Sequence, residues 1–311
     1  AKGKSSQAAV WKQAHAAEAA VAKGLKSTPT LFDLVKAFEM VRLAHVWRRG
    51  VIMRFPLAIL RLVLETFAFA RHLFMSGAVT EAVHTLTAIL AGGGFATDCM
   101  FMVLVEPCDT LIAGVPSINL CLFVDDLTIH ATGEEHEIVR TTAWACDRCI
   151  ELLEVGLDLT VSRNRQAGVG DPMAKTVAVG SSRAVLARSK GRLNRLGIAT
   201  KVRTKLLGVD FSCGKRVVRS TQRLRILRVC ARKPRYKQLG RRAAGCLVKT
   251  GAGPAFRYGT CVDGATTSAI KAVRGFSCQV RGEMRGRSTF ARLQIAGYDP
   301  GAEMATDPIH S

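Results

Sequence analysis

Acidic residues are scarce in this sequence. Its 311 residues include 24 Asp and Glu but 45 Lys and Arg, which gives a formal net charge of +21 at pH 7 and a pI near 10.1. This balance argues against an acidic-surfaced metabolic enzyme and predicts a polyanionic partner, with nucleic acid as the first candidate and an anionic membrane surface as the second. Hydrophobic residues make up 48% of the chain, which excludes a disordered tail and predicts a folded core.

The chain also lacks a disulfide framework, a secretion signal and an uninterrupted apolar span. Its ten cysteines are scattered, and residues 1–7 are polar and basic with no apolar segment behind them. We therefore expect free thiols in an intracellular compartment, nuclear or cytoplasmic. The lone Cys146-x-x-Cys149 pair has no second pair at zinc spacing and is interpreted as two such thiols. Residues 51–74 carry charges at amphipathic-helix spacing and residues 87–105 are broken by three glycines, so neither segment is expected to cross a membrane.

The positive charge is concentrated in the second half of the chain. Residues 181–292 contain 28 Lys and Arg against three acidic residues, a net charge of +25, whereas the rest of the chain has a net charge of −4. This asymmetry suggests that one part does chemistry while the other holds a polyanion, and phosphate contacts from residues 216–292 would make nucleic-acid binding salt-dependent. Four aromatic residues among these arginines are candidates either to stack on bases or to form core: Tyr236, Phe256, Tyr258 and Phe276.

Hydrophobic periodicity predicts a mixture of helices and strands. Apolar runs over 118–124 and 127–131 predict a hairpin with Asp125 and Asp126 at its turn. The other predicted helices cover residues 1–26, 36–49, 56–75 and 134–153, the other predicted strands cover 30–35, 157–161, 176–180 and 206–211, and the chain from 216 onward is predicted to be helical.

Asp125 and Asp126 are the most informative residues of the sequence. Two adjacent carboxylates at a buried hairpin turn repel each other, so a cation should lie beside them. Two Mg²⁺ ions take oxygen ligands from such a pair and a third carboxylate, and they stabilise the attacking and leaving oxygens of a phosphoryl transfer. Taken alone, the pair is also compatible with an ordinary turn.

Three segments occur in the order found in a known polymerase family. Asp33 leads into Ala37-Phe38-Glu39, a glycine loop follows at Gly92-Gly93-Gly94, and the acidic hairpin reads Phe123-Val124-Asp125-Asp126. Together they resemble the palm of a reverse transcriptase of the non-LTR retrotransposon type. The resemblance covers about residues 33–211 and implies RNA-directed DNA polymerase activity.

The resemblance implies a role for each matching residue of the palm. Asp33, Asp125 and Asp126 would be the catalytic metal ligands and would hold two Mg²⁺ ions, with Mn²⁺ as a substitute. Phe38 would pack under the nucleotide sugar and exclude a 2′-OH, and Gly92 would belong to the substrate-binding loop.

Two matches further along the chain concern the leaving group and the primer. Lys175 would lie near the departing pyrophosphate, and Leu207-Gly208 resembles the hairpin that grips the primer. The implied partners are an RNA template, a DNA primer and deoxynucleoside triphosphates, with no membrane.

The sequence departs from the family pattern in two places. Ala91 stands where the second motif has Gln, and Ala96-Thr97 stands where it has Ser-Pro, which affects the nucleotide contacts that this Gln makes. Only 32 residues precede Asp33, whereas the family places its fingers region there. The resemblance therefore predicts a copy that is truncated in the fingers.

We predict an α+β fold in which a palm of antiparallel strands backed by helices precedes a mainly helical, basic thumb. The predicted limits are 1–32 for a fingers remnant or lead-in helix, 33–215 for the palm, 216–292 for the thumb-like region and 293–311 for a C-terminal tail. Two alternatives stay open. One is a catalytically idle nucleic-acid-binding remnant, and the other is an RNA-templated RNA polymerase, against which Phe38 argues because it would crowd the 2′-OH.

Overall fold

The computed structural model describes residues 5–72, 74–164, 174–213, 219–281, 288–289, 293 and 297–310. The chain divides into two compact units. The first, Ala20–Val202, is called the sheet unit here, and the second, Ala1–Ala19 with Arg203–Ser311, is called the basic unit. The predicted limits of fingers remnant, palm, thumb and tail remain predictions, and parts of the predicted thumb and tail lie outside the described residues.

The sheet unit alternates helices with short strands. In chain order its elements are α1 (Ser6–Ala22, of which only the end belongs to this unit), β1 (Lys26–Phe32), α2 (Ala37–Met40), α3 (Leu43–Ile52), α4 (Leu57–Ala68), β2 (Phe74–Met75), β3 (Ala78–Val79), α5 (Ala96–Gly114), β4 (Ile118–Phe123), β5 (Asp126–Gly133), α6 (Glu135–Glu154), β6 (Val177–Val179), α7 (Arg183–Arg195) and β7 (Ala199–Lys201).

Five of these strands form one mixed sheet in the order β4-β5-β1-β6-β7. The pairs β4–β5, β5–β1 and β1–β6 are antiparallel, whereas the pair β6–β7 is parallel. The central strand β1 is buried along all but its first residue. It tolerates Pro29 because β6 pairs only with Thr30 and Leu31, so Pro29 lies beyond the end of that pairing.

Helices cover this sheet and complete its core. α6 packs on β1 and β5 and lies between α5 and α7. Buried apolar side chains such as Leu104, Ile129 and Leu153 belong to one continuous cluster, which holds the ends of the strands in fixed positions. Across the described residues, none of the helices is both long enough and apolar enough to span a membrane.

The basic unit consists of a short hairpin and a series of helices. Its elements after α1 are β8 (Thr204–Leu206), β9 (Val209–Phe211), α8 (Ser220–Ala231), α9 (Lys233–Gln238), α10 (Arg241–Leu247), a π-helical turn (Val248–Ala252), α11 (Gly253–Arg257), α12 (Thr260–Asp263), α13 (Thr267–Arg281) and α14 (Pro300–His310). Phe256 and Phe276 pack edge to face in its core. Both are buried, so of the four aromatic residues considered above these two form core and do not stack on bases.

Several predicted elements differ from the observed ones. The helix predicted over 36–49 is interrupted at Val41 and Arg42, which are extended. The break is stabilised by a neighbouring segment, since the N–H of Ala88 donates to the carbonyl of Val41 at 3.0 Å and the N–H of Leu43 donates to the carbonyl of Leu86 at 3.2 Å. The helix predicted over 56–75 ends at Ala68.

Two predicted strands were also wrong in extent. The strand predicted over 157–161 is reduced to a single bridge between Leu34 and Val161. The strand predicted over 206–211 is a hairpin that turns at Leu207 and Gly208, both of which have positive φ. Mixed α+β architecture is confirmed, whereas the assignment of a palm and a thumb remains a prediction.

Candidate active site

The β4–β5 hairpin presents two carboxylates at its tip. Phe123 pairs with Asp126, so the connecting residues are Val124 and Asp125 instead of the predicted Asp125 and Asp126. Val124 has a φ of 60°, a left-handed conformation that β-branched residues rarely adopt and that glycine usually fills in such turns. Backbone strain of this kind costs about 1–3 kcal/mol and is typical of functional sites.

Asp33 lies one residue beyond the end of β1, beside this hairpin. Phe32 pairs with Leu127, and continuing the register by one position sets Asp33 opposite Asp126. Opposite residues in antiparallel strands project from the same face, with Cβ atoms about 4.5–5.5 Å apart. Asp33 therefore meets Asp126 although the two are far apart in sequence, and we call Asp33, Asp125 and Asp126 the acidic cluster.

The backbone of Asp33 is fixed by hydrogen bonds from the far side of β1. Its N–H donates to Thr176 Oγ1 at 3.2 Å, and its carbonyl oxygen accepts from the N–H of Ser162 at 2.7 Å. The N–H of Thr176 donates in turn to the carbonyl of Ser162 at 2.8 Å. Thr176 and Ser162 are both buried, so this arrangement is shielded from water and holds Asp33 in place.

Lys175 adds a positive charge next to the acidic cluster. Its Nζ lies 3.6 Å from Asp33 Oδ2, and its side chain is 63% exposed. An exposed ion pair of this kind contributes at most about 1 kcal/mol. The ammonium group can therefore leave Asp33 for another anion at little cost.

Burial and mutual repulsion raise the pKa of both hairpin carboxylates. Burial is the largest cause at Asp126, repulsion from Asp125 and then Asp33 adds to it, and Lys175 opposes it, so that the pKa reaches about 6. Burial also raises the pKa of Asp125, against a backbone hydrogen bond that lowers it and with a further contribution from Asp33. Carboxylates that resist ionising together form a site that a cation would stabilise.

The carboxylate oxygens of the acidic cluster are suitable ligands for Mg²⁺, although the three side chains do not converge on one point. Three carboxylates supply the hard oxygen ligands that Mg²⁺ prefers. In the part of the chain that the structure describes, no three His, Cys, Asp or Glu side chains are grouped so that they could hold one metal ion. Asp33 instead directs one oxygen at Lys175. Metal binding would therefore require Asp33 to exchange Lys175 for the ion.

Phe38 and Gly92 lie in the sheet unit outside the acidic cluster. Phe38, in α2, is half-buried against the core, and its carbonyl accepts from the N–H of Ile89 at 2.7 Å. Gly92 has a φ of 87°, and a Cβ there would meet no atom within 4 Å. This position therefore favours glycine for its backbone conformation and not for a close contact. The substrate-binding roles of both residues remain predictions.

Leu207 and Gly208 lie in the basic unit, at the turn between β8 and β9. Tyr258 donates its hydroxyl hydrogen to the carbonyl of Leu207 at 2.6 Å. Arg225 donates to the carbonyl of Gly208 at 2.9 Å, and its guanidinium lies 4.7 Å from the centroid of the Tyr258 ring. These contacts fix the turn, while its predicted role in gripping a primer stays a prediction.

Sequence reasoning missed most of the residues that position these groups. Nothing in the sequence singles out Ser162 or Arg225, because their partners are backbone groups far away in the chain. Thr176 follows the predicted Lys175 directly, so the Lys-Thr pair was the available signal. The sequence left Tyr258 as either a base-stacking or a core residue, whereas its hydroxyl donates a hydrogen bond to the turn at Leu207.

Comparison with known proteins yields structural likeness only. No protein-family model and no curated protein sequence matches this chain. Among solved structures, it is similar to apo telomerase from Candida tropicalis, with 12% identity and a TM-score of 0.41 over 96% of this chain and 54% of that one. A form of that telomerase truncated from the C-terminal domain gives 10% identity and a TM-score of 0.40, over 66% of this chain and 38% of that one.

A third similar structure is telomerase from Candida albicans in complex with a TWJ fragment of telomeric RNA. It shares 7% identity and a TM-score of 0.41, over 97% of this chain and 52% of that one. This chain thus spans between 38% and 54% of the telomerase chains it resembles. With TM-scores below 0.5, the likeness does not by itself assign an activity.

Proposed function

We propose that this chain is a nucleotidyltransferase of the reverse-transcriptase class, an RNA-directed DNA polymerase of retroelement type. The proposal is supported by the register of β1 and β5, which, continued by one residue, sets Asp33 opposite Asp126 and close to Asp125. The raised pKa of Asp126 supports it, because an isolated structural turn has no need to gather three acids that repel one another. The net charge of +21 supports a nucleic-acid partner.

Each residue of the site would have a distinct task. Asp33, Asp125 and Asp126 would hold the divalent cations. Asp33 lies just after β1, where hydrogen bonds fix its backbone, and Asp126 is the first residue of β5. When bound, Mg²⁺ activates the primer 3′-OH and neutralises the charge that develops on the leaving pyrophosphate. Once a metal ion replaces Lys175 beside Asp33, the ammonium group of Lys175 would be free to pair with the triphosphate.

Phe38 would decide which nucleotide is accepted. It follows Asp33 by five residues, at the position where the resembled family places the aromatic side chain under the sugar. Replacing Phe38 by Ala should remove the barrier to a 2′-OH and allow ribonucleotides to be incorporated. The template would be RNA, the primer DNA and the substrates deoxynucleoside triphosphates.

One observation favours a second candidate, a nucleic-acid-binding remnant with an idle palm. Among the described residues no three ligands are grouped around a common point, and Lys175 lies where a cation would contact Asp33. In this case the basic unit would still bind nucleic acid through phosphates, while the acidic cluster would do no chemistry.

Primer extension separates the two candidates. The assay extends a labelled DNA primer on an RNA template with deoxynucleoside triphosphates and Mg²⁺. Asp126→Asn should reduce extension about 100-fold or more, because several kcal/mol of charge stabilisation would be lost. Asp147→Asn, which removes an exposed carboxylate from α6, is the matched control and should leave extension unchanged. Duplex binding should be the same in all three proteins.

Each outcome bears on one candidate. Extension that survives Asp126→Asn would contradict a catalytic role for the acidic cluster. Duplex binding without extension by the unsubstituted chain would favour the idle remnant. A preference of the unsubstituted chain for ribonucleoside triphosphates would favour an RNA polymerase.

A further inference from the structure

A groove in the sheet unit lies apart from the acidic cluster. It has a volume of about 380 Å³ and is lined by His136, Glu137, Val139 and Arg140 of α6 and by Arg188 and Arg192 of α7. α6 begins just after β5 ends at Gly133, whereas Asp126 is at the other end of that strand. At about 3.4 Å per residue, the two ends of β5 are about 24 Å apart.

Arginine dominates the lining of this groove. Arg188 and Arg192 are four residues apart and lie on one face of α7, about 6 Å apart along its axis. Arg140 faces them from α6. The sequence of α7 contains five basic residues and no acidic one, so the helix itself supplies no counter-charge.

Three arginines in the described lining face one carboxylate of that lining, Glu137, so the lining keeps a net positive charge. Arg188 pairs with Glu135 at 3.0 Å, an ion pair in which the arginine is 65% exposed. Arg140 and Arg192 have no carboxylate within ion-pair distance in the described part of the chain. Like charges four residues apart on a helix repel each other and destabilise it, and an anion bound between them would relieve that repulsion.

We propose that this groove binds the phosphodiester backbone of a nucleic-acid strand, as a contact separate from the acidic cluster. Arginine forks match phosphate oxygens in planar, bidentate geometry, and two arginines one helical turn apart offer two such contacts along α7. Among the described residues that line the groove, Val139 is the single apolar one and none is Phe, Tyr or Trp, so the groove suits a charged backbone and not a base. The assignment deepens the proposed function and rests on a nucleic-acid partner, but it does not require catalysis.

Fluorescence anisotropy on the full chain tests the assignment. Labelled single-stranded RNA and DNA are titrated with protein in EDTA, so that metal binding and extension do not contribute. The test variant combines Arg188→Gln with Arg192→Gln. The control combines Arg183→Gln with Lys190→Gln, which removes the same charge from the opposite flank of the same helix.

The expected loss of nucleic-acid affinity depends on where the basic residues lie on α7 and not on their charge alone. Two lost phosphate contacts should reduce the slope of log K against log salt by about 1.4 and weaken binding about 25-fold at 0.1 M salt. The control pair should change affinity less than about threefold. Thermal melts of both variants verify that neither loss comes from unfolding.

Three results would overturn the proposal. Equal losses in the test and control variants would show that net charge alone drives binding. Displacement of the RNA by inorganic phosphate at matched ionic strength would show that the groove takes a free phosphate group and not a backbone. Photo-crosslinks of 4-thiouracil RNA that form only outside α6 and α7 would place the strand elsewhere. Because Asp126→Asn should leave this binding intact, failure of the extension assay and failure of the groove are distinguishable.

Discussion

Replacing Asp126 by Asn should stabilise the folded chain while removing a proposed metal ligand. Burial, Asp125 and Asp33 raise the pKa of Asp126 from 3.8 to about 6. A shift of about 2 pKa units corresponds to about 3 kcal/mol at most. Because the carboxylate is only partly buried, solvent screening reduces this cost to about 1–2 kcal/mol. Asn carries no charge, so the substitution should recover that amount at pH 7.5.

The stabilisation by Asp126→Asn should decrease as the pH falls. The folded-state pKa of Asp126 lies above its unfolded value, so the charged form is penalised in the folded state. The penalty is complete above the folded-state pKa of about 6, falls as the pH drops through that value and disappears below about 3.8. About half of the stabilisation by Asn should therefore remain at pH 5, and none near pH 3.5.

Urea denaturation at these pH values measures the effect, with Asp147→Asn as the control on an exposed carboxylate. A second set of denaturation curves is measured with added Mg²⁺. A cation bound by the acidic cluster should stabilise the unsubstituted chain more than the Asn variant. Destabilisation by Asp126→Asn at pH 7.5, or a gain that does not change between pH 7.5 and 3.5, would refute the electrostatic reasoning. Equal stabilisation of both proteins by Mg²⁺ would refute metal binding at Asp126.

Three further substitutions test groups whose hydrogen bonds or pKa values the structure explains, one in the sheet unit and two in the basic unit. Thr176→Val leaves the N–H of Asp33 without its acceptor and should cost about 1–3 kcal/mol in urea denaturation, whereas Thr176→Ser should not. Burial and then Asp210 raise the pKa of Asp263 to about 7, so Asp263→Asn should raise the melting temperature at pH 8 and lose that gain as the pH falls toward 4. Tyr258→Phe keeps the ring but removes the hydrogen bond to Leu207 and should lower the free energy of unfolding by about 1 kcal/mol, measured by the same denaturation assay.

The hairpin that carries the acidic pair was predictable because its signals are local. Alternating apolar residues on both sides of Asp125 and Asp126 indicate two paired strands, and the structure differs only in placing the turn one residue earlier. The register between β1 and β5, in contrast, depends on backbone pairing over a long sequence separation. Only the resemblance of motifs led to the expectation that Asp33 would lie beside that pair.

The elements that were predicted incorrectly depend on distant partners. The helix expected over 36–49 breaks because residues 86–89 supply competing backbone hydrogen bonds, and a periodicity argument does not see those residues. The helix α7 was not predicted, although its buried Val185, Leu186 and Leu193 have helical spacing. Five of its thirteen residues are basic, which weakens the apolar periodicity on which the helix predictions rest, and the groove that it lines was missed with it.

The central position of β1 affects the order in which the chain can fold. β1 ends at Phe32, but its two neighbours in the sheet begin at Asp126 and Val177. At about 5–20 residues per second, synthesis needs about 5–20 s to deliver the first neighbour and longer for the second. During that interval both edges of β1 are unpaired, so its backbone groups are open to pairing with other segments. Asp33 should therefore reach Asp126 only late in folding, after β5 has been synthesised.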